Sequence, residues 1–366
     1  MFEIILISVT IASILAVAGK IAIFLALLSL LVVFHEFGHF VFAKRAGVTV
    51  TDFAVGFGPS LVAVRRGDTT YRLNMLPLGG YCKMAGEDVA DDGSSDPGNF
   101  QRKSIGARFA IIAAGPIFNL VLAVVIFAGI AGINGIETGA TNVVRTVNAG
   151  TPAERAGLTP GDKIVALDGV PVRSGDEMVG YIHQHPGKVI AVDVERSRRL
   201  LHLHIRAEPV TVGGQRIGQF GFLPQFAVEH KPLLADVVYG VNMVGATIVQ
   251  NFVGLGDAIR RHDASAVHGP VGIARVVVSA EAMGPIVVVQ LTAVLSTVLG
   301  VINLLPFPAL DGGRLAFLLV ELVRGRPVDP EKEGLVHLTG FALLMILVIF
   351  VTYHDIMQWV AGKGVL

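Results

Sequence analysis

The run His35-Glu36-Phe37-Gly38-His39 places two imidazoles four residues apart, with a carboxylate directly after the first. On a helix of 3.6 residues per turn the two histidines sit about 40° apart and roughly 6 Å along the axis, so they can share one tetrahedral Zn2+. Glu36 lies about 100° round from His35, outside the ligand set. It can still take a proton from a water that such a metal acidifies to a pKa of about 7, and pass that proton to a leaving amine. The competing reading is a chance string of structural histidines. Ionisable side chains gathered on an apolar helix are costly to bury, and that cost favours function.

A catalytic zinc takes three protein ligands and keeps one position open. Any Asp, Glu or His that reaches the two histidines would serve as the third. Asp311 is the candidate, in Asn303-Leu304-Leu305-Pro306-Phe307-Pro308-Ala309-Leu310-Asp311-Gly312-Gly313-Arg314. The prolines end the preceding helix and the glycine pair permits close backbone approach. Asp311 also suits a helix N-cap, and the presence of His35 and His39 tips the reading towards ligand. His262, His268, His337 and His354 have no ligand spacing with one another and read as structural or surface residues. His202 and His204 alternate on one strand face and read as solvated.

These residues need a scaffold, and its solvent follows from composition. Apolar residues make up 52% of the 366 residues and charged ones 16%, with mean hydropathy +0.65. That leaves too little polar surface for water alone, so lipid is expected to solvate part of the chain. Lys plus Arg and Asp plus Glu balance at 29 each, so no nucleic-acid partner is expected. The single cysteine, Cys82, excludes an internal disulfide.

A helix needs about 20 apolar residues to cross a bilayer. Four segments qualify, roughly 21–43, 110–133, 286–305 and 335–353. Residues 1–19 extend the first helix, lie at the interface or form a fifth span, with Gly19-Lys20 as a natural break. The basic connections 44–109 and 306–334 are expected on the cytoplasmic side, leaving 134–285 and the C-terminus outside. Residues 50–85 alternate as a β-hairpin or small sheet ending in Leu78-Gly79-Gly80-Tyr81, and 87–99 read as a loop. Residues 142–209 read as a separate α+β domain. Apolar residues at spacings of three and four make 233–261 an amphipathic helix, too polar to span, lying on the outer membrane surface or packed on the soluble domain.

The paired motifs, with Leu78-Gly79-Gly80-Tyr81 and Ala114-Gly115-Pro116-Ile117-Phe118-Asn119, resemble the site-2 protease family, most closely its bacterial branch of the regulator of sigma-E protease type. The resemblance covers most of residues 20–355. It implies a polytopic α-helical membrane protein of about four transmembrane helices, with a membrane-associated β-hairpin and one inserted PDZ-like α+β domain at 142–209. The membrane parts would be 1–133 and 286–355. It implies Zn2+ held by His35, His39 and Asp311, with Glu36 as acid and base. The expected activity is zinc-dependent endopeptidase cleavage in or near transmembrane segments, in a bacterial inner membrane with the active site towards the cytoplasm. The expected partners are the bilayer and single-span membrane-protein substrates, pre-cleaved or intact. Asn303, Gly79 and Gly80 are the candidate substrate-holding residues. For Asn303, a structural bond to backbone near Pro306 is an equal alternative. Some close relatives carry two PDZ-like units where one fits here, and the stretch before residue 20 is longer than the family suggests. A metal transporter would have no need of Glu36 between paired histidines, and a vestigial scaffold would have no need of an intact ligand set.

Overall fold

The computed structural model describes residues 2–87, 96–212, 215–261 and 269–361, with the side chains of these apart from 2–17, 212 and 330. They form two compact units, one of residues 1–130 with 234–366 and one of residues 131–233. Much of the expected 87–99 loop, with His262 and His268, lies outside the described residues.

Helix α1 (Phe2–Arg45) runs unbroken through Gly19 and Lys20 and ends on Lys44 and Arg45. Nothing at Gly19 forces a break, because a glycine without a second helix-stopping signal costs only about 1 kcal/mol. The hairpin β1 (Val50–Arg66) and β2 (Thr69–Met84) folds back on itself. Phe53 pairs with both Tyr71 and Cys82, so two long strands make a small sheet. Gly56, Gly58 and Gly79 supply the bends, each with φ above +80°. Asn74 holds one bend by donating to the Gly56 carbonyl at 2.9 Å and accepting from Ser60 at 2.8 Å. Helix α2 (Ile105–Asn134) carries Pro116 in its interior. A Cβ on Gly38 would meet the Ala114 carbonyl oxygen at 2.4 Å, so α1 and α2 touch backbone to backbone there.

The inserted unit contains β3 (Ile136–Val147), α3 (Pro152–Arg155), β4 (Lys163–Leu167), β5 (Val170–Pro171), α4 (Gly175–Gln184), β6 (Val189–Arg196), β7 (Arg199–Arg206), β8 (Glu208–Val212), β9 (Gln215–Gln219) and β10 (Phe222–Glu229). Its main sheet is antiparallel in the order β10-β3-β4-β6-β7. Ile164, Leu167, Met178, Ile190, Val192, Ile205 and Phe220 fill the core. The unit therefore exceeds the 142–209 read from sequence at both ends. The reason is β10, which returns to pair along the whole of β3, from Phe222 with Val147 to Glu229 with Ile136. Helix α4 went unread although Ser174 caps it: Ser174 Oγ accepts the Glu177 N–H, and the Glu177 carboxylate accepts the N–H of Arg173 just before the cap.

The second half of the larger unit comprises α5 (Leu233–Arg261), α6 (Pro270–Met283), α7 (Pro285–Leu304), α8 (Asp311–Arg324) and α9 (Pro330–Val360). Among the described residues, five helices are long and apolar enough to cross a membrane, and α5 is one of them. Residues 233–261 are thus less polar than expected, because their charges sit at the two ends, with none from Val237 to Gly256. Val244 packs with Ala123, Phe127 and Ala293, and a Cβ on Gly240 would meet the Val124 carbonyl oxygen at 2.6 Å. Buried Asp355 of α9 caps α6, accepting from the N–H groups of Gly269 and Gly272 at 3.0 and 2.8 Å.

In the inserted unit, Asp162 is wholly buried and accepts two hydrogen bonds from Arg196, at 2.6 and 2.7 Å, and one from the Thr159 N–H at 2.8 Å. Burial pushes this carboxyl up, but the Arg196 and Thr159 donors outweigh it and hold it below the usual range. Below about pH 4 the unfolded chain therefore binds this proton more readily, and the stability Asp162 contributes drains away as pH falls through its lowered value. Arg196→Met should cost this unit about 3 kcal/mol at neutral pH, since it strands a buried carboxylate. Hydrogen exchange at β4 and β6 amides in the full chain reads that loss, and unchanged exchange would show the pair to be dispensable.

Candidate active site

The late turns of α1 carry His35 and His39, both buried, with Glu36 between them half-buried. Their Nε2 atoms lie 3.1 Å apart. Asp311 Oδ2 sits 2.9 Å from His35 Nε2 and 3.6 Å from His39 Nε2. Three ligand atoms, one from each residue, fall within 4.8 Å of one another. Leu310, not Asp311, takes the N-cap position of α8, so the Asp311 carboxylate is turned to the histidines rather than to its own helix.

Several contacts hold Asp311 in place. Its approach passes through Ala309, whose φ of +78° is unusual for a residue with a side chain. The Ala309 N–H donates to His337 Nδ1 on α9 at 2.9 Å. Sequence spacing gave no role to His337, because its partner is a backbone group far along the chain. Cβ atoms on Gly312 and Gly313 would fall 2.0 Å from the Leu305 and 2.5 Å from the Phe307 carbonyl oxygens, so only glycine lets this turn close. Arg314 then pairs with Glu87 at 2.5 Å, and Arg108 of α2 pairs with Glu321 of α8.

Helix α2 forms the opposite wall. His39 Nδ1 lies 2.9 Å from the Ile111 carbonyl oxygen, to which its N–H donates, leaving Nε2 for a metal. A Cβ on Gly115 would land 2.3 Å from His39 Nε2 and 2.8 Å from His35 Nε2. Asp311 Oδ2 is buried with no hydrogen-bond partner of acceptable geometry among the described residues. Two imidazole nitrogens, an unsatisfied carboxylate oxygen and a gap kept open by glycine fit Zn2+.

The structure places the three substrate-holding candidates less decisively. Asn303 donates to the Leu299 carbonyl at 3.0 Å within α7, a local structural bond. The Gly79 N–H donates to Ser29 Oγ at 3.3 Å, and a Cβ there would lie 3.2 Å from Val32. A Cβ on Gly80 would meet the Ala54 carbonyl oxygen at 2.5 Å and Val33 at 3.4 Å. Both glycines thus press the sheet onto α1 one turn before His35. His202 pairs with Asp193 at 2.6 Å on the exposed sheet of the inserted unit, and His354 lies 3.4 Å from Gln358.

Known proteins resemble this chain over most of its length. The model of peptidase family M50 matches residues 23–347. Zinc metalloprotease RasP of Geobacillus kaustophilus is 32% identical over 92% of this chain and 97% of its own length. Regulator of sigma-W protease RasP of Bacillus subtilis is 31% identical, with 92% and 97% covered. Among solved structures, the PDZ domain of an SdrC-like protein of Listeria monocytogenes is 23% identical, with a TM-score of 0.21, over 24% of this chain and 90% of that one. Its Listeria innocua counterpart is 24% identical, with a TM-score of 0.21, over 25% and 99%. Histidines and aspartate gathered by apolar helices, a family match across most of the length and relatives that are zinc metalloproteases lead to one conclusion: the chain belongs to peptidase family M50, the site-2 proteases, and is a zinc metalloendopeptidase of a bacterial membrane.

Proposed function

We propose that this protease cuts its substrates within or beside their transmembrane segments, with His35, His39 and Asp311 as zinc ligands and Glu36 as acid and base. The observation that carries this reading is the placement of the cluster: His35 and His39 lie buried on a helix long and apolar enough to cross a bilayer, and Asp311 at the start of α8 is brought against them. When bound there, zinc supplies a Lewis acid that polarises the scissile carbonyl and acidifies water. Glu36 takes the proton from the attacking water and delivers it to the departing amide nitrogen, so that a carboxylic acid and an amine leave. Asp311 keeps an anion beside two neutral imidazoles, and Gly115 keeps that side free of carbon.

A helical substrate hides its carbonyls in its own hydrogen bonds, so it must unwind before cleavage. The sheet of β1 and β2 presents free edges for pairing with such a strand, main chain to main chain. Asn303 would hold the strand's other side by giving up its bond to Leu299. The basic connections favour an active site towards the cytoplasm of the inner membrane, with the inserted unit outside. That unit is PDZ-like and acts as a filter, rejecting single-span substrates that still carry bulky ectodomains and admitting trimmed ones.

Three experiments test these assignments on purified full-length protein. Glu36→Gln should keep its zinc while kcat falls by about a hundred- to ten-thousand-fold. Loss of metal together with activity would instead make Glu36 a ligand or a structural residue. Asp311→Asn should lower zinc occupancy and cleavage together, because a neutral amide is a poor substitute for an anionic ligand. Full metal and full activity in that variant would send the search to another carboxylate. Removing 137–228 and joining Ile136 to Glu229, neighbours across β3 and β10, leaves the chain ends already side by side. The shortened protein should still cleave short substrates and newly accept intact ectodomains. Continued strict rejection of bulky substrates would locate the gate elsewhere, with α5 the next candidate.

A further inference from the structure

Asn119 takes no part in the chemistry above, yet it is wholly buried on α2. Its side-chain amide lies 3.3 Å from His35 Nδ1, and its Oδ1 has no hydrogen-bond partner among the described residues. Ser296 of α7 donates its hydroxyl to the Asn119 carbonyl at 2.8 Å, which pins α2 at this residue. Three helices thus converge on one amide beside one imidazole.

A neutral imidazole has one ring proton, and a ring that gives Nε2 to a metal must carry it on Nδ1. His39 has its acceptor in the Ile111 carbonyl. His35 faces the Asn119 amide at the equivalent position. The two ends of an amide are nearly isosteric, so a half-turn about the Cβ–Cγ bond sets the unpartnered Oδ1 opposite the ring N–H. We propose that Asn119 is the positioning residue of His35, its amide oxygen accepting the Nδ1 proton and so fixing the ring's tautomer and orientation towards zinc. The two ligand histidines are then held by different means on one helix, His39 by backbone and His35 by a side chain. This rests on the zinc reading of His35, His39 and Asp311.

The test compares zinc affinity, by chelator competition, in the full chain and in Asn119→Leu, Asn119→Asp and His35→Ala. Asn119→Leu fills similar space without an acceptor and should weaken zinc about ten- to a hundred-fold, the usual effect of losing a ligand's hydrogen-bond partner. Asn119→Asp restores an acceptor and should bind zinc within a few-fold of the parent or more tightly. A purely packing role predicts the opposite order, because a buried carboxylate would disturb the helices more than leucine does. Parental affinity in Asn119→Leu, or equal weakening in both Asn119 variants, overturns the proposal. Undiminished zinc in His35→Ala would overturn the ligand reading itself and this inference with it, so the two failures are distinguishable.

Discussion

Everything near the site answers to the cost of holding ionisable side chains where water is scarce. A polar group in such a place needs a partner or it destabilises the fold by several kcal/mol. His39 finds one in the Ile111 carbonyl, and Arg108 and Arg314 find theirs in Glu321 and Glu87. The Asp311 oxygen between the two imidazoles is left without a well-formed hydrogen bond among the described residues, and it is the atom the metal would satisfy. The chain meets this constraint with close helix contacts: Gly38 on α2, Gly240 on α2 again, and Gly340 against Pro308, where a Cβ would come within 2.3 Å. Small residues at helix interfaces let backbones approach without a hydrophobic drive between them.

The same contact also restricts how the chain can thread a bilayer. His35 and His39 lie near the C-terminal end of α1, and Asp311 follows the C-terminal end of α7, so the two helices must finish on one face. The path from the end of α2 to the start of α7 must then cross an even number of times or not at all. Helix α6 has 14 residues, about 21 Å of rise against a hydrocarbon core of about 30 Å. A full crossing by α5 would oblige this short helix and its flanks to bring the chain back. An α5 lying along a membrane surface, its Val244 face against α2, satisfies the parity without that return.

The chemistry was more legible in the amino-acid order than the scaffold was. His35, Glu36 and His39 announce themselves because a helix turns sequence spacing of four into spatial adjacency. Asp311 stood out because its glycines and prolines mark a turn that brings backbone close. His337 could not be read this way: its partner is the Ala309 N–H, and no local spacing encodes a bond between a histidine and a distant peptide group. The inserted unit was cut short for a related reason, since β10 contains Pro224 and lacks clean alternation, and only its pairing with β3 makes it a strand. The apolarity of helix α5 was underrated because its charges crowd at its two ends while its middle holds none.

Gly115 is the smallest contribution to the site. At most glycines of an apolar helix an added methyl group is mild, and sequence drift there is graded. At this one a carbon would sit 2.3 Å from the nitrogen that faces the metal. Every other residue type would occupy the ligand cavity before any ion reached it. An alanine there would act as a built-in inhibitor, its methyl group lodged against the two imidazoles.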